Sequence, residues 1–145
     1  KLGNWVIVDS AAGLGKEATS AIDLSDEVIL ITNPEMPAIT DALKTIKVAE
    51  SMKKPIKGVI ITRVRRNKSE MQPNVVKEML EVPILGSIPE EISVQESLNL
   101  KNAVVHTHPK SRPARAYKEI VANLLDIDYD SNKDREKLMQ RVRKK

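Results

Sequence analysis

Apolar residues in this chain fall into short, uninterrupted runs separated by longer segments of helical periodicity. Continuous runs, unlike alternating ones, are typical of strands covered on both faces, as in a parallel sheet. The runs are Val6–Val8, Val28–Ile31, Val59–Ile61 and Ile84–Ile88. They predict parallel strands near residues 5–9, 27–32, 56–62 and 84–88.

Helical patterns lie between the predicted strands. After the second strand, Asn33 suits a helix cap and Pro34 suits the first helical position. Shorter amphipathic patterns occupy residues 73–81 and 112–125. Alternation of strand and helix predicts an α/β fold: a doubly wound, mainly parallel sheet with flanking helices.

Polar or glycine-bearing turns follow all four predicted strands. Ligands of open α/β sheets bind beyond the carboxyl ends of the strands, so these turns are the candidate site. They cover residues 9–13, 32–35, 62–63 and 89–91.

Asp9 follows the first apolar run and precedes a turn that contains Gly13. A carboxylate at the end of a buried strand needs a partner, and a hydrated magnesium ion is a suitable one. Gly13 lets its backbone N–H approach a phosphoryl group closely. The stretch therefore fits one half of a phosphoryl-transfer site. The alternative is that Asp9 caps a helix beginning near Gly15 and the glycines only form the turn.

The motifs at these turns, taken in order, resemble the MinD/ParA family of deviant P-loop ATPases, the MinD branch above all. The resemblance runs from about residue 4 to residue 125, and four matched turns in order are more specific than any single motif. Two positions depart from the family pattern: Ala11 replaces the usual Pro, and Glu91 replaces the usual Asp. The matching stretches are VIVDSAAG, ILITNPE, GVIITR and LGSIPEE.

The resemblance implies ATP and magnesium as cofactors and gives each turn a role. Asp9 would order the hydrated magnesium ion, and Gly13 would contact the γ-phosphate. The residues implied to frame adenine are Thr62, Arg63, Pro89, Glu90 and Glu91. Those implied to border the dimer face and a docking surface for a regulatory protein are Asn33, Glu35 and Asp41.

No G-x-x-x-x-G-K-S/T phosphate loop occurs in the sequence. We therefore expect residues 1–125 to form the C-terminal half of a P-loop ATPase domain and residues 126–145 to form a basic tail. The intact protein would be an ATP-dependent homodimer that positions cell-division or other spatially organised machinery. This chain alone would not hydrolyse ATP.

The amino-acid composition excludes several classes of protein. The chain has no cysteine, which excludes disulfides, thiolate metal sites and the iron–sulfur relatives of the family. Aromatic residues make up 2%, too few for base-stacking recognition of single strands. The sequence shows no apolar stretch of membrane-spanning length and no signal peptide, so we expect a cytoplasmic protein.

The positive charge is concentrated at the C-terminus. Residues 131–145 hold seven Lys or Arg and two acids, a net +5 against +4 for the whole chain, so the rest carries −1. With only Leu138, Met139 and Val142 as apolar residues, we expect weak association with anionic membrane at the inner face of the cell membrane. Two alternatives remain open: a ParA-like ATPase that binds DNA non-specifically, and an α/β binding domain without nucleotide.

Overall fold

The fold alternates helices and strands over most of the chain. The structure is a computed structural model, and it describes residues 5–11, 13–65, 67 and 70–129. Its elements, in chain order, are α1 (Lys16–Leu24), β1 (Val28–Thr32), α2 (Met36–Ser51), β2 (Ile56–Val64), α3 (Pro73–Leu80), β3 (Ile84–Pro89), α4 (Ile92–Asn99), α5 (Val104–Thr107) and α6 (Arg112–Leu124).

The three strands form one parallel sheet in the order β1-β2-β3. In the register of β1 and β2, Ile29 lies opposite Gly58 and Thr32 lies opposite Ile61, with an irregularity just after Val28. The α/β class is confirmed, as are the strands predicted near residues 27–32, 56–62 and 84–88.

The strand predicted at residues 5–9 is wrong for this structure. Residues 5–11 have no regular secondary structure, and the side chains of the apolar run are exposed, Trp5 by 70% and Ile7 by 93%. A strand persists only where a neighbouring backbone accepts and donates its hydrogen bonds. None of the described strands pairs with this segment.

The prediction that each strand is covered on both faces is wrong for β1. Leu30 and Thr32 are buried, whereas Ile29 and Ile31 are 42% and 68% exposed. Alternate side chains point to opposite faces of a strand, so β1 has one covered face. Helix α2 packs against β1, and no described element covers the face of Ile29 and Ile31.

Helix α2 begins later than predicted. Its first residue is Met36, and its N-terminal cap is Glu35 rather than Asn33. Two prolines compete for the first turn, and Pro37, not Pro34, occupies it. The first helical hydrogen bond runs from the Ile39 N–H to the Glu35 carbonyl at 3.0 Å. Asn33 precedes a proline, a position that disfavours the helical conformation.

The chain divides into two compact units, the first formed by residues 1–61 and 67–84 and the second by residues 62–66 and 85–145. In the first unit, α2 packs against β1 and α3. The described core side chains of this unit that are at least 99% buried are Ile39, Ile46, Ala49, Val59, Ile61, Val76 and Leu80.

In the second unit, the core lies between β3 and helices α5 and α6. Ile88, Val104 and Ile120 are buried there. Gly86 lets α6 approach β3, since a Cβ atom at residue 86 would lie 2.4 Å from Cγ1 of Ile120. Any larger side chain would have to displace Ile120.

Among the described residues, no helix combines the length and apolar character that crossing a membrane requires.

Candidate functional site

Asp9 and Gly13 lie in the segment that leads into α1. Asp9 is exposed, and no described residue gives its carboxylate a hydrogen bond or an ion pair. Gly13 has φ +89°, a conformation that other residues rarely adopt, and there is open space around it. Backbone conformation, rather than crowding, is therefore what requires glycine at this position.

Asp9 does not cap α1, so the alternative role considered for it is wrong. The N-terminal cap of α1 is Gly15, and no side chain accepts a hydrogen bond from the first turn. The Gly15 carbonyl accepts the Thr19 N–H at 3.0 Å. The carboxylate of Asp9 is thus available to a ligand in the described part of the chain.

The turn after β1 contains an unsatisfied polar atom. The Oδ1 atom of Asn33 is buried and has no hydrogen-bond partner among the described residues. Next to it, the carbonyl of buried Pro34 accepts the N–H of Met71 at 3.1 Å. Buried polar atoms are nearly always paired, so the Asn33 amide points to a partner from outside the described residues.

The other two residues of the predicted dimer face are exposed. Glu35 caps α2 through its backbone, and its side chain makes no capping hydrogen bond. Asp41 forms an ion pair with Lys44 at 3.0 Å on the surface of α2. Exposed pairs of this kind contribute little to stability, so Asp41 could exchange Lys44 for another cation.

In the second unit, the ends of β2 and β3 meet. The Glu90 N–H donates to the Val64 carbonyl at 3.0 Å, and the Glu90 carboxylate pairs with the Arg65 guanidinium. The hydrogen bond from Arg65 has the largest effect on the pKa of Glu90 and lowers it; burial opposes this, and the charges of Arg65 and Arg63 lower the pKa further. Glu90 is therefore ionised and held by Arg65 at neutral pH.

Arg63 has a left-handed backbone conformation with φ +56°. This conformation is uncommon for a residue with a side chain and costs free energy on the order of 1 kcal/mol. Its side chain is exposed, next to half-buried Thr62. Strained backbone of this kind concentrates at binding sites, in keeping with the role predicted for this turn.

The Glu91 carboxylate contacts side chains of two helices, α4 and α6. Its Oε2 atom pairs with Nε of Arg112, the first residue of α6, at 3.0 Å, and its Oε1 atom accepts the Ser93 hydroxyl at 3.1 Å. Partial burial tends to raise the pKa of Glu91, but the hydrogen bonds from Arg112 and Ser93 outweigh it, and the pKa lies below its ordinary value. Pro89 is the last residue of β3, and Glu91 is the N-terminal cap of α4, which begins at Ile92.

The structure places Thr62, Arg63, Pro89, Glu90 and Glu91 in the second unit, at the ends of β2 and β3, and their role in framing adenine stays a prediction. Sequence reasoning missed their partners, Arg65 and Arg112. The position of Arg65 just beyond the Thr-Arg turn was a usable signal for its contact with Glu90. For Arg112, which lies 21 residues from Glu91 in sequence, no local pattern indicates the contact.

Comparison with known proteins places the chain in a family. A family model described as AAA domain, AAA_26, matches residues 15–98. The match covers β1, β2 and β3 with their following turns and ends within α4. The chain belongs to this family, within the MinD/ParA group of P-loop ATPases.

A curated relative resembles the chain over most of its length. The uncharacterized ATP-binding protein MJ0547 of Methanocaldococcus jannaschii is 34% identical over 132 residues, 91% of this chain and 50% of MJ0547. The chain therefore spans about half the length of this curated relative.

Solved MinD structures show the same fold. MinD of Pyrococcus horikoshii, complexed with Mg-ADP, is 31% identical and has a TM-score of 0.75 over 80% of this chain and 48% of its own. MinD in the MinC:MinD complex of Aquifex aeolicus is 26% identical, with a TM-score of 0.79 over 88% of this chain and 54% of its own. The roles of individual turn residues in this MinD/ParA chain stay predictions.

Proposed function

We propose that this chain is the C-terminal half of a MinD-like ATPase that binds Mg-ATP, dimerises around it and positions cell-division or other spatially organised machinery. The observation that carries the proposal is the likeness to P. horikoshii MinD, whose structure contains Mg-ADP, together with the polar turns at the carboxyl ends of β1, β2 and β3. Ligands of open α/β sheets bind at those ends.

Within the first unit, we assign contacts with the phosphates and with a hydrated magnesium ion to Asp9 and Gly13. Among the described residues, no group of three or more Asp, Glu or His could hold a metal ion as a cage. The free carboxylate of Asp9 instead fits a single contact to a hydrated ion through water. Bound Mg²⁺ supplies charge neutralisation on the phosphates. Gly13, with its positive φ, presents backbone that can approach a phosphoryl oxygen.

Within the second unit, we assign contacts with adenine to the turns after β2 and β3. Arg65 and Arg112 neutralise Glu90 and Glu91, which reduces repulsion between these carboxylates and a nucleotide's phosphates. The exposed guanidinium of Arg63 can stack on a planar base. Thr62 and Pro89 would contact the adenine ring beside Arg63. Backbone groups of residues 89–91 would lie at the edge of the base.

Dimerisation and partner binding follow from the same family membership. The A. aeolicus structure is a complex of MinC with MinD, which supports a regulatory protein partner for the intact protein here. We assign the docking face to Asn33, Glu35 and Asp41, at the end of β1 and the start of α2. The protein would be cytoplasmic, with weak attachment to the inner face of the cell membrane through residues 131–145.

The test is ATP hydrolysis by this chain co-expressed with the half of MJ0547 that it does not match. We expect magnesium-dependent turnover by the pair, none by this chain alone, and at least about a tenfold loss in Asp9→Asn. Asp26→Asn, a change at another exposed aspartate of the first unit, is the matched control and should leave turnover unchanged. Turnover by this chain alone, or a pair insensitive to Asp9→Asn, would contradict the proposal.

A further inference from the structure

Two leucines protrude from the turn that connects α4 to α5 in the second unit. Leu98 and Leu100 are 71% and 65% exposed, whereas their neighbour Ser97 is buried. All residues of the turn, 98–103, are exposed, and we call this segment the α4–α5 corner. Large apolar side chains gain free energy when they leave water, and no described element of the second unit covers these two.

The shape of the α4–α5 corner does not depend on its leucines. The Lys101 N–H donates to the Leu98 carbonyl at 2.9 Å, and the Asn102 N–H donates to the Ser97 carbonyl at 3.1 Å. With Lys101 in the left-handed conformation at φ +49°, these are the two hydrogen bonds of a Schellman motif. The apolar contact that often accompanies this motif would join residues 97 and 102, which are both polar here. The backbone therefore holds the corner in place and leaves both leucines free for an external contact.

The chain around the α4–α5 corner is basic. Between Glu96 and Glu119 it contains five Lys or Arg and no Asp or Glu. Lys101 and Lys110 are exposed and form no ion pair among the described residues. The nearer acid, Glu96, is engaged elsewhere, since its Oε2 atom lies 3.1 Å from Nε2 of His108. The leucines are thus accompanied by positive charge that no neighbouring acid neutralises.

Exposed leucine next to exposed lysine favours lipid as the contact. Protein–protein interfaces are depleted in lysine and enriched in aromatic residues, and residues 98–103 contain no aromatic residue. The phosphates of a nucleic acid attract lysine, but they offer leucine nothing. The interface of an anionic bilayer accepts both, because apolar side chains enter the acyl boundary while ammonium groups stay among the headgroups.

We propose that the α4–α5 corner is a membrane-contact site, at which Leu98 and Leu100 enter the interface of an anionic bilayer and Lys101 binds lipid headgroups. Lys110 adds attraction to the same surface. The contact is weak and needs anionic lipid, because two side chains bury little apolar area. It adds a second site to the membrane attachment proposed above, but the observations that carry it involve neither residues 131–145 nor a nucleotide.

The first experiment follows a fluorescent label at the α4–α5 corner. The protein has no cysteine, so Leu100→Cys carries a single polarity-sensitive nitrobenzoxadiazole label. It is mixed at low salt with vesicles of phosphatidylglycerol and phosphatidylcholine in equal parts. We expect a blue shift of the emission, and quenching by lipids that carry a nitroxide on the acyl chain. Leu24→Cys is the matched control: Leu24 is 80% exposed at the end of α1, next to the acid Asp23, and its label should not shift.

Four outcomes would overturn the proposal. The first is an unshifted label at residue 100, and the second is an equal shift at residue 24. The third is a shift that disappears when Leu138→Glu is added, since the contact would then lie in residues 131–145. The fourth is a label at residue 100 that responds to duplex DNA but not to the vesicles, which would make nucleic acid the ligand.

Co-sedimentation with the same vesicles measures the contribution of the leucines to affinity. The double substitution Leu98→Ser with Leu100→Ser should lower the affinity at least about tenfold, because the transfer of two leucines out of water is lost. Both side chains are exposed, so circular dichroism and the melting temperature should stay the same. Leu24→Ser is the control and should leave the affinity unchanged. Equal affinities of the double variant and the unmodified protein would overturn the proposal. Because neither measurement uses ATP, a failure of the proposed ATPase function leaves both results unaffected.

Discussion

At the scale of single residues, the acidic turn after β3 is defined by its arginine partners. Glu90 and Glu91 are adjacent, yet Arg65 holds one and Arg112 holds the other. Both carboxyl groups have a lowered pKa and are ionised at neutral pH. Their ion pairs with Arg65 and Arg112 hold the turn in place. The sequence indicates the acids but not Arg112, since a contact between residues far apart in sequence depends on how α6 packs.

Replacing Arg112 should raise the pKa of Glu91. In the folded chain this pKa is lowered, so the contribution of the ion pair to stability is present above the ordinary carboxyl pKa and is lost as the pH falls through the lowered value. In Arg112→Gln, the Glu91 carboxyl should titrate at higher pH, as measured by NMR. Arg115→Gln, a change on the same helix, is the control. A Glu91 titration that does not respond to Arg112→Gln would show that the ion pair has no effect in solution.

At the scale of elements, sequence reasoning succeeded where the pattern is local. The apolar runs of β1, β2 and β3 each lie between turn residues, and the strands formed as predicted. Residues 5–9 have an equally good apolar run, but a strand also needs a neighbouring backbone, which no local pattern supplies. The start of α2 was missed because Pro34 and Pro37 both suit a first turn, and only the structure distinguishes them.

The contact between β3 and α6 gives a prediction for Gly86. A methyl group there would meet Cγ1 of Ile120 at 2.4 Å, so Gly86→Ala should lower the free energy of unfolding by about 1–3 kcal/mol through overpacking. Chemical denaturation measures this value. In an Ile120→Ala background, the cost of Gly86→Ala should largely disappear, giving a coupling energy in the double-mutant cycle. If the two substitutions change the free energy of unfolding additively, the added methyl group does not contact Ile120 and this prediction is wrong.

At the scale of the whole molecule, the charge of the C-terminal segment gives a prediction about binding to anionic membranes and DNA. Residues 131–145 lie outside the described residues, so the prediction rests on sequence: a net charge of +5 with three mid-sized apolar side chains. The chain should co-sediment with vesicles of anionic lipid at low salt and dissociate from them at high salt. Leu138→Glu should have little effect on this binding. Salt-resistant binding lost in Leu138→Glu would instead indicate apolar insertion. Duplex DNA binding without vesicle binding would favour the ParA-like alternative.

The fold class and the turns that carry the candidate site could be predicted from sequence, since apolar runs, glycines and charged turns are local features. The uncovered face of β1 and the unpaired Asn33 could not, because both depend on which elements surround a strand.

The central claim is that the turns after β2 and β3 bind adenine, and photolabelling tests it most directly. The pair formed with the unmatched half of MJ0547 is irradiated with 8-azido-ATP, and the labelled peptides are identified by mass spectrometry. We expect label on peptides containing Thr62–Arg63 or Pro89–Glu91, and we expect excess ATP to suppress it. Label confined to other peptides, or label that excess ATP does not suppress, would contradict it.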